Sequence, residues 1–496
     1  MQYDNNTTRI RRLLLVRLAQ LAFENKLVEN IDRIPIEVRP KGSPHDRCCV
    51  HKERAVIKYR LMASLGFKVE DEADELMTLG QYAQLALSRE KVTQSDLTVI
   101  DEACSACVRT NYFVTNACRG CFARPCAVNC PKKCISFVEG QARIDSEKCV
   151  NCGKCMKVCP YHAVVYVPIP CEEECPVGAI SKGEDGVEII DEAKCILCGK
   201  CMAACPFGAI MSLSQIVDII KNLLSPRKTV ALIAPALAGQ FDASLEQVVG
   251  ALKQLGFDHV VEVALGADIV ARRESIELAE RLGEGDPFMA TSCCPAYIYA
   301  VQKHVPELRP FVSKTCTPMH CAAEIAAQQY PDALRVFISP CAAKIKEAVD
   351  DPLVDYTLTF EELGSLLVAK GIDVADAEPQ PADLPAHASG RGFPVSGGVA
   401  EAIKDMTDDE SVLHDEIKPE LIDGISKQSL KTMKNYALHG GDFNVLEVMC
   451  CEGGCVAGPC VIGNPKTATK RVQQLRSESK IKIPDKICPG ERDLNG

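Results

Sequence analysis

Seventeen of the chain's 29 cysteines fall between Cys104 and Cys205, and their spacing dictates what that stretch can become. Cys149-x2-Cys152-x2-Cys155-x3-Cys159 is followed at once by Pro160, and Cys195-x2-Cys198-x2-Cys201-x3-Cys205 by Pro206. Three thiolates at this spacing can wrap one iron–sulfur cube, while the fourth reaches the other cube of a pair. Each full run has a modified partner upstream. Cys118-x2-Cys121-x4-Cys126-x3-Cys130 carries two extra residues, and Cys171-x3-Cys175 keeps only the third and fourth positions. The natural pairing gives Cys118, Cys121, Cys126 and Cys159 to one cube, and Cys149, Cys152, Cys155 and Cys130 to a second. Cys175 completes a third with Cys195, Cys198 and Cys201. Cys104-x2-Cys107 is an unclaimed pair that could join Cys171 and Cys205 in a fourth. The alternative is that Cys104 and Cys107 bind nothing, so the segment holds three cubes and not four. Cys134 has no role in this scheme.

The rest of the composition sets limits. With 496 residues, 47% hydrophobic and 25% charged, the chain can bury large cores. A net charge of -11 argues against a nucleic-acid binder. No apolar run reaches the roughly 18 residues of a membrane helix. The start superficially resembles a signal peptide, but Arg17 and Gln20 interrupt the apolar stretch and an amphipathic helix is expected. A cytoplasmic location, with reduced thiols held by metal, follows as the expectation.

The cysteine distribution suggests three domains. Residues 1–100 read as a small, mostly helical domain of unknown role, with a Cys48-Cys49-x-His51 cluster that could bind metal or simply pack beside a helix start. Residues 101–213 read as an α+β ferredoxin-like domain. Residues 214–496 alternate short apolar strands (TVALIAPAL, HVVEVAL, RVFISP, NVLEVMC) with helices such as DIVARRESIELAERL, the signature of a mostly parallel α/β sheet. Residues 372–395 read as a loop and 405–424 as an acidic surface insertion.

Three cysteine motifs sit at strand-to-helix positions of this last segment. They are Thr291-Ser292-Cys293-Cys294-Pro295-Ala296-Tyr297, Ser339-Pro340-Cys341-Ala342-Ala343-Lys344, and Glu447-Val448-Met449-Cys450-Cys451-Glu452-Gly453-Gly454-Cys455. Loops after parallel strands are where α/β proteins hold ligands. Gly453 and Gly454 allow close backbone approach to a bulky group. Lys344 could hold an anionic ligand, which spacing alone does not identify.

These motifs resemble those of the [FeFe]-hydrogenases, over the whole of about 214–496, and the TSCCPAY form and cysteine-rich front resemble their group B branch. The resemblance implies a two-lobed α/β catalytic domain of the iron hydrogenase fold. It also implies an H-cluster: a 4Fe-4S cube bridged to a two-iron centre with CO, cyanide and azadithiolate ligands. Cys294, Cys341, Cys451 and Cys455 would hold the cube, Cys455 bridging to the two-iron centre. Cys293 would give and take protons. Lys344 would hydrogen-bond a cyanide, Met449 would pack beside the two-iron centre, and Ala234-Pro235-Ala236 would line it.

The family's proton path is matched by Glu274 and Glu277, at i and i+3 of one helix, and by Ser313. The expected order is Cys293, a water, Glu274, Ser313, Glu277. The chain departs from the family pattern at Ser339, Cys450, Glu452 and Gly458-Pro459-Cys460, which leaves Cys450 as a rival to Cys451; spacing to Cys455 favours Cys451. Cys316, Cys321, Cys460 and Cys488 read as small buried residues.

The expected reaction is 2H+ + 2e− ⇌ H2, with a ferredoxin or similar one-electron carrier as partner and maturation proteins supplying the two-iron centre. No nucleotide fingerprint of the G-x-G-x-x-G kind follows a strand. The rivals are a hydrogen sensor and a hydrogenase-like scaffold for cluster assembly. Relatives of the latter kind lack the paired cysteine and the lysine found here as Cys293 and Lys344.

Overall fold

The computed structural model describes residues 5–92, 97–104, 107, 111–407 and 417–479; Cys488 lies outside them. The protein begins with two amphipathic helices, α1 (Asn6–Phe23) and α2 (Val50–Ser64). Asn5 caps α1 through its side chain, which accepts a hydrogen bond from the Thr8 amide. Leu14, Leu18, Ile57 and Leu61 of these helices share one continuous core with Val230, Leu232 and Leu363 of the catalytic segment. The boundary expected at residue 100 is therefore no break in packing. Arg11 and Arg12 reinforce the junction by both reaching Glu361.

The iron–sulfur segment is built from small antiparallel pairs. Tyr112–Val114 pairs with Val164–Tyr166, Ile135–Val138 with Gln141–Ile144, and Ile180–Lys182 with Glu188–Ile190. Leu97–Val99 pairs with Ile210–Ser212, so the segment is closed by a strand that precedes the expected boundary.

The remaining chain forms two parallel sheets. One has the order β2-β1-β4-β5, made of β1 (Thr229–Ile233), β2 (His259–Glu262), β4 (Leu334–Ser339) and β5 (Tyr356–Thr359). The other has the order β3-β7-β6, made of β3 (Met289–Ala290), β6 (Pro419–Asp423) and β7 (Val445–Met449). β1 and β7 are buried at every position, as continuous apolar runs in parallel sheets require. Helices α3 (Val263–Glu284), α4 (Pro295–His304) and α5 (Ala342–Asp350) follow β2, β3 and β4.

Two local expectations change. Within 405–424, residues 408–416 lie outside the described ones, but Pro419–Asp423 is no surface insertion: it is β6, in register with β7. Its acidic residues read as solvated because β6 is an edge strand, with Glu420 and Leu421 partly or fully facing out. Residues 372–387 are irregular as expected, but Ala388–Gly392 is helical. Its entry into helix is fixed by Asp268, whose carboxylate accepts from the His387 and Gly390 amides.

Candidate active site and its wiring

Four strand ends converge between the two sheets. β1 runs into Ala234-Pro235-Ala236, β3 precedes Cys293 and Cys294, β4 precedes Cys341, and β7 precedes Cys450 and Cys451. One cavity is lined by Cys293, Cys294, Cys341, Cys451, Cys455 and Lys344, with Met449 and Ala234-Pro235-Ala236 on its other walls. The half-buried character of these cysteines is surface turned toward that cavity.

Cys294 and Cys341 occupy the N-cap positions of α4 and α5, each with extended backbone. Two helix amino ends, with their partial positive charge, therefore face the cavity. The Lys344 ammonium projects from the first turn of α5 and lies 2.7 Å from Glu347 Oε2. The two atoms are off the line a hydrogen bond needs, so the contact is an ion pair alone. Gly454 has φ +91°, and a Cβ there would come within 2.4 Å of the Pro394 carbonyl oxygen. Only glycine carries the chain through this turn to Cys455.

The donor set fits an iron–sulfur group. Burial pushes the Cys294 thiol up to about 11 and the Cys455 thiol up to about 12, and it raises Cys341 well above its ordinary value. Thiols held neutral this way give up their protons to a cationic metal partner, for which thiolate is the soft ligand. Among the described residues no three such side chains are spaced for a single ion. The thiols stand around a cavity, as a cluster requires.

A chain of polar groups leads away from Cys293. Glu274 is fully buried on α3, and Glu274 Oε1 accepts from the Ser292 amide and hydroxyl at 3.1 and 3.2 Å. One helical turn on, Glu277 accepts from the Ser313 hydroxyl at 2.7 Å and from the Lys314 amide. Arg281 fixes Glu277 from the other side at 2.8 Å. Ser313 also interacts with Glu274, while Glu274 Oε2 makes no hydrogen bond to any described residue. Because the Ser313 proton goes to Glu277, the link to Glu274 needs Glu274 to be the donor. Burial, and then the charge of Glu277, push the Glu274 carboxyl up to about 8, which supplies that proton.

Comparison with known proteins bears on this geometry directly. Residues 227–459 match the family described as "Iron only hydrogenase large subunit, C-terminal domain". The chain belongs to the iron-only hydrogenase family. Residues 142–165 and 188–211 match a "4Fe-4S binding domain". Iron hydrogenase 1 of Clostridium pasteurianum is 28% identical over 407 residues, covering 70% of this chain and 69% of that protein. A probable cytosolic Fe-S cluster assembly factor of Drosophila virilis is 24% identical over 311 residues, covering 50% of this chain and 65% of that one. A solved [FeFe]-hydrogenase structure superimposes with a TM-score of 0.44 at 20% identity, covering 53% of this chain and 90% of the other.

The iron–sulfur segment of this family member gathers its thiols in four groups. Cys126 lies near Cys118 and Cys159. Cys130, Cys149, Cys152 and Cys155 line one small cavity. Cys201 lies near Cys175, Cys195 and Cys198. Cys171 lies near Cys104, Cys107 and Cys205, and its thiol is raised to about 12, by burial first and then by these neighbours and Glu188. Lys182, paired with Glu188 at 2.9 Å, stands beside Cys104 and Cys107.

Two cysteines left unassigned by sequence reasoning prove to be part of this wiring. The Cys450 side chain is hydrogen-bonded to both Cys198 and Cys451, which raises Cys450, lowers Cys451 and brings Cys198 to about 7. Cys134 Sγ lies 3.4 Å from Cys130 Sγ, on the wall of the Cys130 cavity. The Cys134 amide donates to Cys130, as the amides of Ala163, Ala179 and Ala209 do to Cys159, Cys175 and Cys205. That repeat, the fourth residue after each Cys-Pro cysteine, was visible in the sequence as Ala, Ala, Ala and Cys. Glu447 was quoted only as part of a motif; it is buried and accepts from the Gly397 and Ala400 amides, tying β7 to the helix Gly398–Asp405. Cys48 and Cys49 lie away from this wiring, their sulfurs 3.9 Å apart.

Proposed function

We propose that the chain is an [FeFe]-hydrogenase catalysing 2H+ + 2e− ⇌ H2, with electrons from a reduced ferredoxin or similar one-electron carrier. The observation that carries this reading is that Cys293 and Lys344 share one cavity with four further thiols. Cys294, Cys341, Cys451 and Cys455 suffice for a cube; a plain cluster scaffold has no use for the other two. When bound, a two-iron centre with CO, cyanide and azadithiolate ligands supplies the place where protons and electrons combine.

Each residue then has a defined task. Cys293 gives and takes the proton at the cavity, kept as a thiol by burial and by Glu274 nearby. Glu274, Ser313 and Glu277 move that proton toward the surface. Lys344 holds an anionic ligand, and Met449 and Ala234-Pro235-Ala236 keep water out. Four accessory cubes carry single electrons inward, and maturation proteins install the two-iron centre. The reducing thiol chemistry suits the cytoplasm; among the described residues no helix is long and apolar enough to cross a membrane.

The similarity to cluster assembly factors makes one measurement decisive. Protein matured with the two-iron centre should show infrared bands of bound CO and cyanide and evolve H2 from reduced methyl viologen. Absence of both after maturation overturns the reading in favour of a scaffold. Cys293→Ala should keep the bands and lose roughly 10²–10⁴-fold in turnover. Bands in the parent protein without turnover would instead favour a sensor.

A further inference from the structure

The two halves of the iron–sulfur segment share one cysteine plan but carry opposite charge. Residues 111–167 hold eight Lys and Arg against three Asp and Glu. Residues 168–213 hold three against eight, and the whole chain 56 against 67. Cluster binding therefore does not explain the basic half, since the acidic half has the same thiol arrangement.

All eight of those cationic side chains are exposed. Lys148 alone among them pairs with a carboxylate, Asp145, among the described residues. Six of them, Arg119, Arg124, Lys132, Lys133, Lys154 and Lys157, stand on or beside the turns that carry the cluster thiols. Large apolar side chains are interleaved with them. Phe122, next to Cys121, is completely exposed at 103%, Val128 at 77% and Val150, next to Cys149, at 55%. An aromatic ring and two valines left in water within a ring of unpaired cations form the composition of a docking patch: apolar centre, charged rim.

The opposite end of the wiring is closed. Cys198 touches Cys450, and a Cβ on Gly199 would come within 2.7 Å of the Pro459 ring, so the inner half lies directly on the catalytic lobe. Electrons must enter at the outer half, where Cys152 is exposed and Cys118, Cys121 and Cys159 are half-buried.

We propose that residues 111–167 form the docking surface for an acidic one-electron carrier protein. Its negatively charged face is steered by the cations, and its contact is anchored on Phe122. In each encounter the carrier's reduced centre loses one electron, and the cube of Cys118, Cys121, Cys126 and Cys159 gains it. The inference rests on the hydrogenase reading for the fate of that electron, but the docking step can be measured without turnover.

The probe is an acidic two-cubane ferredoxin. Its binding to the reconstituted full-length protein is titrated calorimetrically at low salt and at about 0.2 M salt, where exposed charges are screened. The variants are Arg119→Glu/Lys132→Glu/Lys154→Glu and, separately, Phe122→Ser, each checked for parental iron content. Binding should weaken at least about tenfold with added salt and with the charge reversal. It should weaken with Phe122→Ser without change in the salt dependence. In matured protein the charge reversal should raise KM for the ferredoxin and leave methyl viologen-driven turnover untouched.

Binding that ignores both salt and the charge reversal overturns the docking surface, whatever the turnover. Equally tight, salt-sensitive binding of a DNA duplex overturns the choice of a protein carrier. Loss of viologen-driven turnover in the parent protein, with ferredoxin binding intact and salt-sensitive, overturns the hydrogenase reading and leaves the docking surface supported.

Discussion

The Cys198 thiol is hydrogen-bonded to the Cys450 thiol, joining a loop of the ferredoxin-like segment to the loop after β7. Cys450 is raised by its bonds to Cys198 and Cys451, so it remains the protonated donor to both. Cys451 is thereby the ligand and Cys450 its support. Cys451→Ala should lose one cube of iron. Cys450→Ala should keep all the iron but lower the reduction potential of the two cubes it bridges, because hydrogen bonds to cluster thiolates favour the more negative, reduced state. Iron analysis with a potentiometric EPR titration separates the two outcomes. Loss of a cube in Cys450→Ala would reverse the assignment.

The group of Cys104, Cys107, Cys171 and Cys205 is tested by subtraction. Cys104→Ala/Cys107→Ala should cost the protein one cube's worth of iron and leave the other accessory cubes in place. Unchanged iron would mean that Cys171 and Cys205 are inert and the segment holds three cubes. Lys182 offers an independent check. Its ammonium lies beside Cys104 and Cys107, so Lys182→Met should lower the potential of this cube alone.

Cys134 occupies the place that Ala163, Ala179 and Ala209 hold in the other three repeats. Only its amide is needed there, so Cys134→Ala should retain the cube of Cys130, Cys149, Cys152 and Cys155. What the thiol adds is a second donor at 3.4 Å from Cys130. Burial and that bond hold it protonated, at about 12. Its removal should therefore lower the potential of that cube, and a redox titration that shows no shift would mean the thiol is mere filling.

How much of this was legible in the sequence depends on where the deciding partner lies. The cavity cysteines were readable because each follows a short apolar strand. Glu274 and Glu277 were readable because three residues along a helix means one face. Cys450 was not, because its meaning comes from Cys198, some 250 residues earlier. The helices α1 and α2 announced an amphipathic face but not its partner, and they share the catalytic core rather than enclosing their own. β6 was misread because its charges describe an edge strand's outer face and say nothing of its hydrogen bonds to β7.

Ser313 is the single group between the two carboxylates of the proposed path. Its hydroxyl donates to Glu277 and accepts from the Thr315 amide at 3.1 Å. Ser313→Ala should lower H2 turnover by roughly 10²-fold or more, and leaving the buried Thr315 amide unpaired should cost about 1–3 kcal/mol of stability. Ser313→Thr, which keeps the hydroxyl, should recover most of the turnover. Recovery of stability without turnover would assign Ser313 a structural role alone.

Glu274 makes stability and activity pull in opposite directions. In the unfolded chain its carboxyl ionises near the ordinary value of about 4.3, whereas burial raises it to about 8 in the folded protein. Between those values the folded protein holds a proton that the unfolded chain has released, so stability falls as pH rises through the window. Below the window both states are protonated and the residue has no effect. Glu274→Gln removes this burden while keeping an oxygen to accept from Ser292. The variant should match the parent in Tm near pH 4 and exceed it increasingly toward pH 8, by on the order of a few kcal/mol. Its H2 turnover should nevertheless fall by roughly 10²–10⁴-fold, since an amide cannot pass a proton. A Tm difference that stays flat across this range would mean that the carboxyl is already ionised in the folded protein, and the donor geometry toward Ser313 would then be lost.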